Sequence, residues 1–203
     1  MLTKEPEYLQ PYLSAAQKHG AGFGSLLWAS PNTQRARFAA LARAVDFNGL
    51  TMLDAGCGRA DLFDYLLSRD VHPAKYIGLE AVDCLADAAY DHLPAPHEIH
   101  QADFVRKAAA LNRGADVIVF CGSLNTFDTQ LFYRCIVNAF EVASQGVVLN
   151  FLASTALAAG AHLNWHSVQS VLAFAGKLSP RVSLWEDYLP GDATVLLRKG
   201  AAL

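Results

Sequence analysis

The sequence predicts one α/β domain: a doubly wound, seven-stranded, mostly parallel sheet with helices on both faces and an antiparallel terminal hairpin strand. Strand-like and helix-like segments alternate from residue 51 to residue 151, which indicates parallel βαβ units. Two strand-like segments then follow each other across a turn at 189–192, which indicates an antiparallel hairpin. The 203 residues, 53% of them hydrophobic, suffice for about one domain with a packed core.

Two helices are predicted before the first strand. The first covers residues 7–17, and Gly20 is the residue that ends it. The second covers residues 32–45, where Ser30 is a good N-cap and Pro31 suits the first helical position. Residues 1–48 are therefore expected to form a helical N-terminal segment, and residues 49–203 the α/β domain, in one compact unit.

Apolar runs and apolar periodicity predict the remaining elements. The strands are expected at 51–53, 76–79, 99–103, 116–121, 147–151, 181–188 and 193–198. The helices are expected at 62–67, 81–90, 128–143 and 167–175. No repeat, low-complexity tract or linker interrupts this pattern, so one domain is expected.

Charge and polarity disfavour two classes of partner. The formal charge is −3, from 16 Lys and Arg against 19 Asp and Glu, which offers no basic surface for nucleic acid or an anionic membrane. Residues 142–176 contain no charged side chain, but polar residues interrupt the stretch too often for a membrane span. Residues 5–7 (EPE) stand where a signal peptide needs an apolar run.

The four cysteines show neither a CxxC pair nor the spacing of a zinc site. Reduced thiols in the cytoplasm are the expected state, and no metal site is predicted. Cys57 and Cys121 are expected to be small buried hydrophobic residues.

The turn after the first strand carries the main chemical signal. It reads LDAGCGRAD over residues 53–61, and Gly56 and Gly58 let the backbone turn sharply and approach a ligand closely. A dinucleotide-binding GxGxxG turn would have a third glycine where this chain has Asp61, which would repel a pyrophosphate. Asp54, at the strand end, suits a cationic amino group instead.

With these residues the chain resembles the class I S-adenosylmethionine-dependent methyltransferases, whose first motif is hydrophobic-hydrophobic-Asp/Glu-x-Gly-x-Gly-x-Gly. Residues 52–58 (MLDAGCG) match this motif, and Ala60 stands where a third glycine is usual. The resemblance covers residues 50–198. It implies a Rossmann-like fold and S-adenosylmethionine as cofactor, with S-adenosylhomocysteine as product.

The resemblance also implies roles for acids at the strand ends. Glu80 would bind both ribose hydroxyls, and Asp103 with Phe104 would bind the adenine. A helix N-cap is the alternative role for Asp103. The complete predicted cofactor set is Asp54, Ala55, Gly56, Cys57, Gly58, Glu80, Ala81, Asp103, Phe104, Cys121, Gly122 and Arg37.

The segment around Trp28 and Arg37 resembles the N-terminal segment of small-molecule members of the family, which folds over the cofactor. For Arg37 the pattern favours an exposed helical position, and a contact with a cofactor or substrate carboxylate is the alternative. Trp28, Ser123, Asn125 and Trp165 are the predicted acceptor-binding residues.

His162 and His166 lie after the fifth strand, on a loop that would roof the cavity. Imidazole titrates near neutral pH, so these two residues are the first candidates for a general base. The alternative is that each is an ordinary polar residue with satisfied hydrogen bonds.

The predicted function is methyl transfer to a small-molecule acceptor by in-line displacement, with catalysis mainly by positioning. The turn after the fourth strand, FCGSLN, lacks the Asn/Asp-Pro-Pro-Tyr motif of DNA and many RNA N-methyltransferases. An RNA or protein acceptor remains an alternative. So do a nicotinamide-dependent oxidoreductase and a catalytically silent cofactor-binding protein, and the chain could be a monomer or a homodimer.

Overall fold

The computed structural model describes residues 5–155 and 160–200, and it confirms the predicted seven-stranded sheet. The order of the strands is β3-β2-β1-β4-β5-β7-β6. β1 to β5 are parallel, and β7 is antiparallel to both β5 and β6. The strands are Thr51–Ala55 (β1), Lys75–Glu80 (β2), Glu98–Gln101 (β3), Val117–Cys121 (β4), Gly146–Leu152 (β5), Arg181–Trp185 (β6) and Asp192–Arg198 (β7).

The helices of the described residues cover both faces of this sheet, as the sequence predicts. They are Gln10–His19 (α1), Pro31–Ala44 (α2), Asp61–Leu67 (α3), Asp83–Tyr90 (α4), Thr129–Val142 (α5) and Val168–Leu178 (α6).

Strand residues alternate between two apolar layers. In β4, Ile118 and Phe120 pack into the layer that α5 and α6 cover, whereas Val117 and Val119 pack into the layer of α2 and α3. Because both faces are covered, β4 and β5 are buried along their whole length and appear in the sequence as continuous apolar runs.

Several predicted boundaries are wrong by two or three residues, and three of them have a local reason. α1 begins at Gln10 rather than residue 7, because Pro11 belongs in the first turn of a helix. α4 begins at Asp83 rather than residue 81, because the N–H groups of the two preceding residues donate to Glu80. β6 ends at Trp185 rather than residue 188, because residues 187–190 already form the bends and turn that lead to β7.

The uncharged stretch 142–176 contains β5, which is fully buried, and most of α6. Residues 156–159 of this stretch lie outside the described residues. No helix in the described part of the chain is both long and apolar enough to cross a membrane.

Candidate functional site

A cavity lies at the carboxyl ends of β1, β2 and β4, where the strand order reverses. Doubly wound sheets bind ligands at this switch point. The predicted site residues that line the cavity are Trp28, Arg37, Asp54, Gly56, Cys57, Gly58, Glu80, Ala81, Asp103, Phe104, Cys121, Gly122, Ser123 and Asn125. Ala55, His162, Trp165 and His166 do not line it.

The turn between β1 and α3 is held by glycine conformations and by bonds to β2. Gly56 and Gly58 have φ angles of 81° and 58°. The N–H groups of Gly56 and Cys57 both donate to the carbonyl of Leu79, at 2.8 and 3.0 Å. A Cβ added at Gly56 would lie 2.5 Å from the Cβ of Ser123. Only glycine therefore fits this position without a shift of the wall.

Asp54 is a buried carboxyl group with one unused oxygen. Its exposed fraction is 1%. The Tyr76 hydroxyl donates to Oδ2 at 2.8 Å, whereas Oδ1 has no partner among the described residues. Burial raises the pKa of Asp54 to about 7, although the bond from Tyr76 lowers it. A buried acceptor without a partner is costly, so this oxygen is suited to a donor on a ligand.

Glu80 binds the backbone of its own chain. Its Oε2 accepts the N–H of Gly58 at 2.8 Å, and its Oε1 accepts those of Ala81 and Val82 at 2.8 and 2.9 Å. Burial raises the pKa of Glu80, and these bonds oppose the rise. A carboxylate has about four acceptor positions, so three backbone donors leave about one. The predicted contact of Glu80 with ribose hydroxyls stays a prediction.

Asp103 lies just beyond β3, not within the strand as the sequence predicts. Its Oδ1 accepts the N–H groups of Val105 and Arg106, at 2.9 and 3.2 Å. It therefore caps a turn, although a short 3-10 helix at Ala108–Leu111 follows instead of an α-helix. Its Oδ2 accepts the hydroxyl of Tyr8 at 2.7 Å. Much of the carboxylate is thus already engaged by the chain.

The turn after β4 forms the opposite wall. The hydroxyl of Ser123 donates to the carbonyl of Ala55 at 2.5 Å, which ties this turn to the end of β1. Asn125 is buried, and its Oδ1 accepts the N–H of Leu152 at 3.3 Å. Thr126 also lines the cavity, and its buried Oγ1 has no partner among the described residues. The sequence does not reveal Thr126, because a threonine in a turn carries no distinctive signal.

Cys57 and Cys121 are buried, as the sequence predicts, and burial raises the pKa of both thiols well above the usual range. They therefore stay protonated and pack as small apolar side chains. All four cysteines are free. The described ranges contain no cluster of three His, Cys, Asp or Glu side chains that could hold a metal ion.

The loop before α6 does not bring the side chains of His162, Trp165 and His166 to the cavity wall, contrary to the expected cavity roof, and their predicted roles stay predictions. The ring of His166 stacks on Phe132 with centroids 3.9 Å apart, and burial lowers the pKa of this imidazole. His162 is exposed, as is 47% of Trp165. Leu163 is the side chain of this loop that lines the cavity. An apolar side chain, and not an imidazole, thus faces the site.

The N-terminal segment completes the wall. The ring of Trp28 lies against Gly122, where an added Cβ would come within 2.8 Å of Cη2. Tyr8 and Tyr12 also line the cavity, and burial raises the pKa of Tyr12 to about 12. The sequence does not single out these tyrosines, because helical periodicity does not show what a helix will cover.

Arg37 is also part of this wall. It is 6% exposed and forms an ion pair with Asp192 at the start of β7. The expected exposed position is therefore wrong. The partner lies 155 residues away in the sequence, which no local pattern could indicate.

No protein-family model matches this chain, and no curated protein matches it in sequence. Solved structures do match. The DhpI–SAH complex has a TM-score of 0.71 at 15% identity, over 97% of both chains. Magnesium protoporphyrin IX methyltransferase from Synechocystis PCC 6803 with bound SAH has a TM-score of 0.64 at 15% identity, over 83% of this chain and 84% of that one. The pyocyanin biosynthetic protein PhzM has a TM-score of 0.63 at 16% identity, over 96% and 69% of the two chains. The chain therefore has the Rossmann-like methyltransferase fold.

Proposed function

We propose that this chain is an S-adenosylmethionine-dependent methyltransferase that acts on a small molecule. The observation that carries the proposal is the unused, buried Oδ1 of Asp54 beside the glycine turn, in a cavity at the switch point of the sheet. Two proteins of the same fold, DhpI and the magnesium protoporphyrin IX methyltransferase, were solved with SAH. These structures support the same ligand here.

The residues of the cavity fit this cofactor. Asp54 would accept a hydrogen bond from the cationic amino group, and Glu80 keeps one acceptor position for a ribose hydroxyl. Phe104 offers an apolar surface to the adenine beside Asp103. Asp61 lines the same cavity and would repel a pyrophosphate, which disfavours a nicotinamide dinucleotide.

S-adenosylmethionine, when bound, supplies a methyl group that is already activated on a sulfonium. The chain has to bind and orient two molecules and to exclude water. Leu26, Trp28 and Leu163 line the cavity with apolar surface. The Oδ1 of Asn125 is held by the backbone of β5, which leaves its Nδ2 as a donor for an acceptor molecule. The described residues of the wall include no histidine, so we assign catalysis to positioning.

A small molecule is the favoured acceptor, because acidic residues predominate both in the chain and in the cavity wall. Phosphate backbones are attracted by lysine and arginine, and this wall repels them. The N-terminal segment, residues 1–48, would cap the bound cofactor.

Calorimetric titration with S-adenosylhomocysteine and with NAD tests the cofactor. We expect the former to bind and NAD to give no heat. Gly58→Asp should abolish binding, because it puts a bulky anion into the turn next to Glu80. Gly114→Asp is the matched control, since Gly114 has a φ of 70° and nothing within 4 Å of an added Cβ. Binding of NAD alone would favour the oxidoreductase.

Incubation with methyl-labelled S-adenosylmethionine tests the acceptor class. Separate reactions would contain a small-molecule extract, total RNA and a protein extract. We expect label in the small-molecule fraction, and none there with Gly58→Asp. Label in RNA or protein instead would favour those alternatives. Binding of S-adenosylhomocysteine without transfer in any reaction would identify a silent cofactor-binding protein.

A further inference from the structure

Arg37 is the single cationic side chain among the described residues that line the cavity. The other charged groups of this wall are acidic: Asp54, Asp61, Glu80 and Asp103. Burying a guanidinium is costly even when it is paired, and an apolar replacement is often as stable. The position of Arg37 therefore calls for a reason other than stability.

The ion pair uses only part of the guanidinium. Nε donates to Oδ2 of Asp192 at 2.7 Å, and Nη2 donates to the same oxygen. Nη1 has no hydrogen-bond partner in the described ranges 5–155 and 160–200. The guanidinium also lies over the ring of Trp28, with Cζ 5.0 Å from the ring centroid. This stacking restrains its orientation.

The other carboxylate oxygen of Asp192 begins a chain of partly and fully buried hydrogen bonds. The hydroxyl of Tyr188 donates to Oδ1 of Asp192 at 2.5 Å. Thr194 donates from Oγ1 to the oxygen of Tyr188 at 2.9 Å, and Asn150 donates from Nδ2 to Oγ1 of Thr194 at 2.6 Å. Each group therefore holds the next in place, from β5 to the ion pair.

This chain of hydrogen bonds ends at the wall of the cavity. The thiol of Cys121 donates to Oδ1 of Asn150 at 3.3 Å, and the strand register puts Cys121 beside Asn150 and Asn150 beside Thr194. The network thus crosses three strands and connects two residues of the cavity, Cys121 and Arg37. It fixes the carboxylate of Asp192, which in turn fixes the guanidinium.

Asp54 and Arg37 line the same cavity, together with Cys121. The acceptor Oδ1 of Asp54, which has no partner among the described residues, and the free donor Nη1 of Arg37 therefore belong to one site. An acceptor for an ammonium group and a donor for a carboxylate are the pair that an α-amino acid group requires.

We propose that Arg37 recognises a ligand carboxylate through Nη1, and that Asp192, Tyr188, Thr194 and Asn150 are positioning residues that hold the guanidinium for this contact. The carboxylate belongs either to the amino-acid end of the cofactor or to the acceptor. Both sources take their names from the proposed function, whereas the binding of a carboxylate at Arg37 does not depend on it.

Two ligands test the cofactor as the source. S-adenosylhomocysteine carries the amino-acid end, whereas 5′-methylthioadenosine keeps the adenine, ribose and sulfur without it. In calorimetry, Arg37→Met should lower the affinity for S-adenosylhomocysteine about tenfold and the affinity for 5′-methylthioadenosine less than about twofold. Arg43→Met is the matched control, because Arg43 lies on the same helix and pairs with Asp187 at the surface. It should change neither affinity.

Benzoate and benzamide differ in charge but little in shape. They test whether the acceptor is the source of the carboxylate. If the acceptor supplies the carboxylate, the free chain should prefer benzoate, and Arg37→Met should abolish the preference without changing the binding of S-adenosylhomocysteine. This titration needs no cofactor. A wild-type chain that fails to bind S-adenosylhomocysteine would overturn the proposed function and leave this arm to decide the inference.

Tyr188→Phe tests the positioning network, because it keeps the ring and removes the bond to Asp192. We expect the carboxylate ligand to bind about threefold more weakly, with 5′-methylthioadenosine unchanged. Arg37→Lys, which keeps the charge but not the planar fork, should act in the same direction if Arg37→Met does not fold. Equal losses for ligands with and without a carboxylate, or no loss for any of them, would refute the inference.

Discussion

Two parts of the cavity wall are built in different ways. The glycine wall, made of Asp54, Gly56, Gly58 and Glu80, is tied to β2 by short backbone bonds and is continuous with the sheet. The N-terminal wall, made of Tyr8, Tyr12 and Trp28, includes α1. The residues of α1 are half-buried or exposed, and the helix mainly contacts the 3-10 helix Phe23–Leu26 that follows it. One wall is part of the core and the other is laid over it. Changes in the glycine wall should therefore affect folding and binding together, whereas changes in α1 should leave the core intact.

Asp54 should give the largest effect. Burial raises its pKa from 3.8 to about 7, so the folded state binds its proton more tightly than the unfolded state does. The contribution of Asp54 to stability should be greatest below about pH 4 and decline as the pH rises to about 7, by up to about 4 kcal/mol. Urea unfolding between pH 4 and 8 measures this decline. Asp54→Asn should remove it, and an unchanged slope in that variant would contradict the assignment.

Gly56→Ala should come next. The added Cβ meets Ser123, and alanine is strained at this positive φ, so we expect a loss of about 3 kcal/mol together with loss of S-adenosylhomocysteine binding. Gly49→Ala is the matched control, because Gly49 has a φ of 69° with nothing within 4 Å. It should lose about 1 kcal/mol and keep binding. Equal losses in the two variants would show that backbone strain, and not the close approach of Gly56 to Ser123, causes the loss of stability.

Tyr8→Phe should have a smaller and more local effect. It removes the hydrogen bond to Asp103, which lies at a partly buried position, so we expect a loss below about 1 kcal/mol. Hydrogen exchange of the α1 amides should become faster, with the β4 amides unchanged. Tyr90→Phe serves as control, because Tyr90 is 70% exposed. Faster exchange in β4 as well would mean that α1 is part of the core.

His162→Ala should have the smallest effect. His162 is exposed and lies outside the cavity wall, so stability should change by less than about 0.5 kcal/mol and cofactor binding should stay the same. Methyl transfer should also persist. Loss of transfer with intact binding would restore the general base that the sequence suggests.

The glycine wall could be predicted from sequence because its features are local. Asp54, Gly56 and Gly58 lie within five residues, and Glu80 ends the next strand. Even the departure from the family motif has a local reason. Ala60 adopts a φ of 63°, a conformation that costs a non-glycine residue about 1–2 kcal/mol, which explains why glycine is usual there.

The sequence could not show which side chains of the site form contacts with distant parts of the chain. Tyr8 engages Asp103 from 95 residues away, and the burial of Arg37 depends on Asp192. The histidines are the converse case. Their place in an uncharged stretch suggests a cavity roof, but the ring of His166 packs on α5.

The sequence by itself determined the fold class, the glycine turn and the acids at the strand ends, because periodicity and turn chemistry depend on neighbouring residues. Tertiary structure alone decided which hydrogen-bond acceptors remain without a partner and which cationic side chain lines the cavity. It also decided which side chain of the loop before α6 faces the cavity. Those outcomes depend on burial and on hydrogen bonds between distant segments, and the chain acquires both only when the sheet and its covering helices come together.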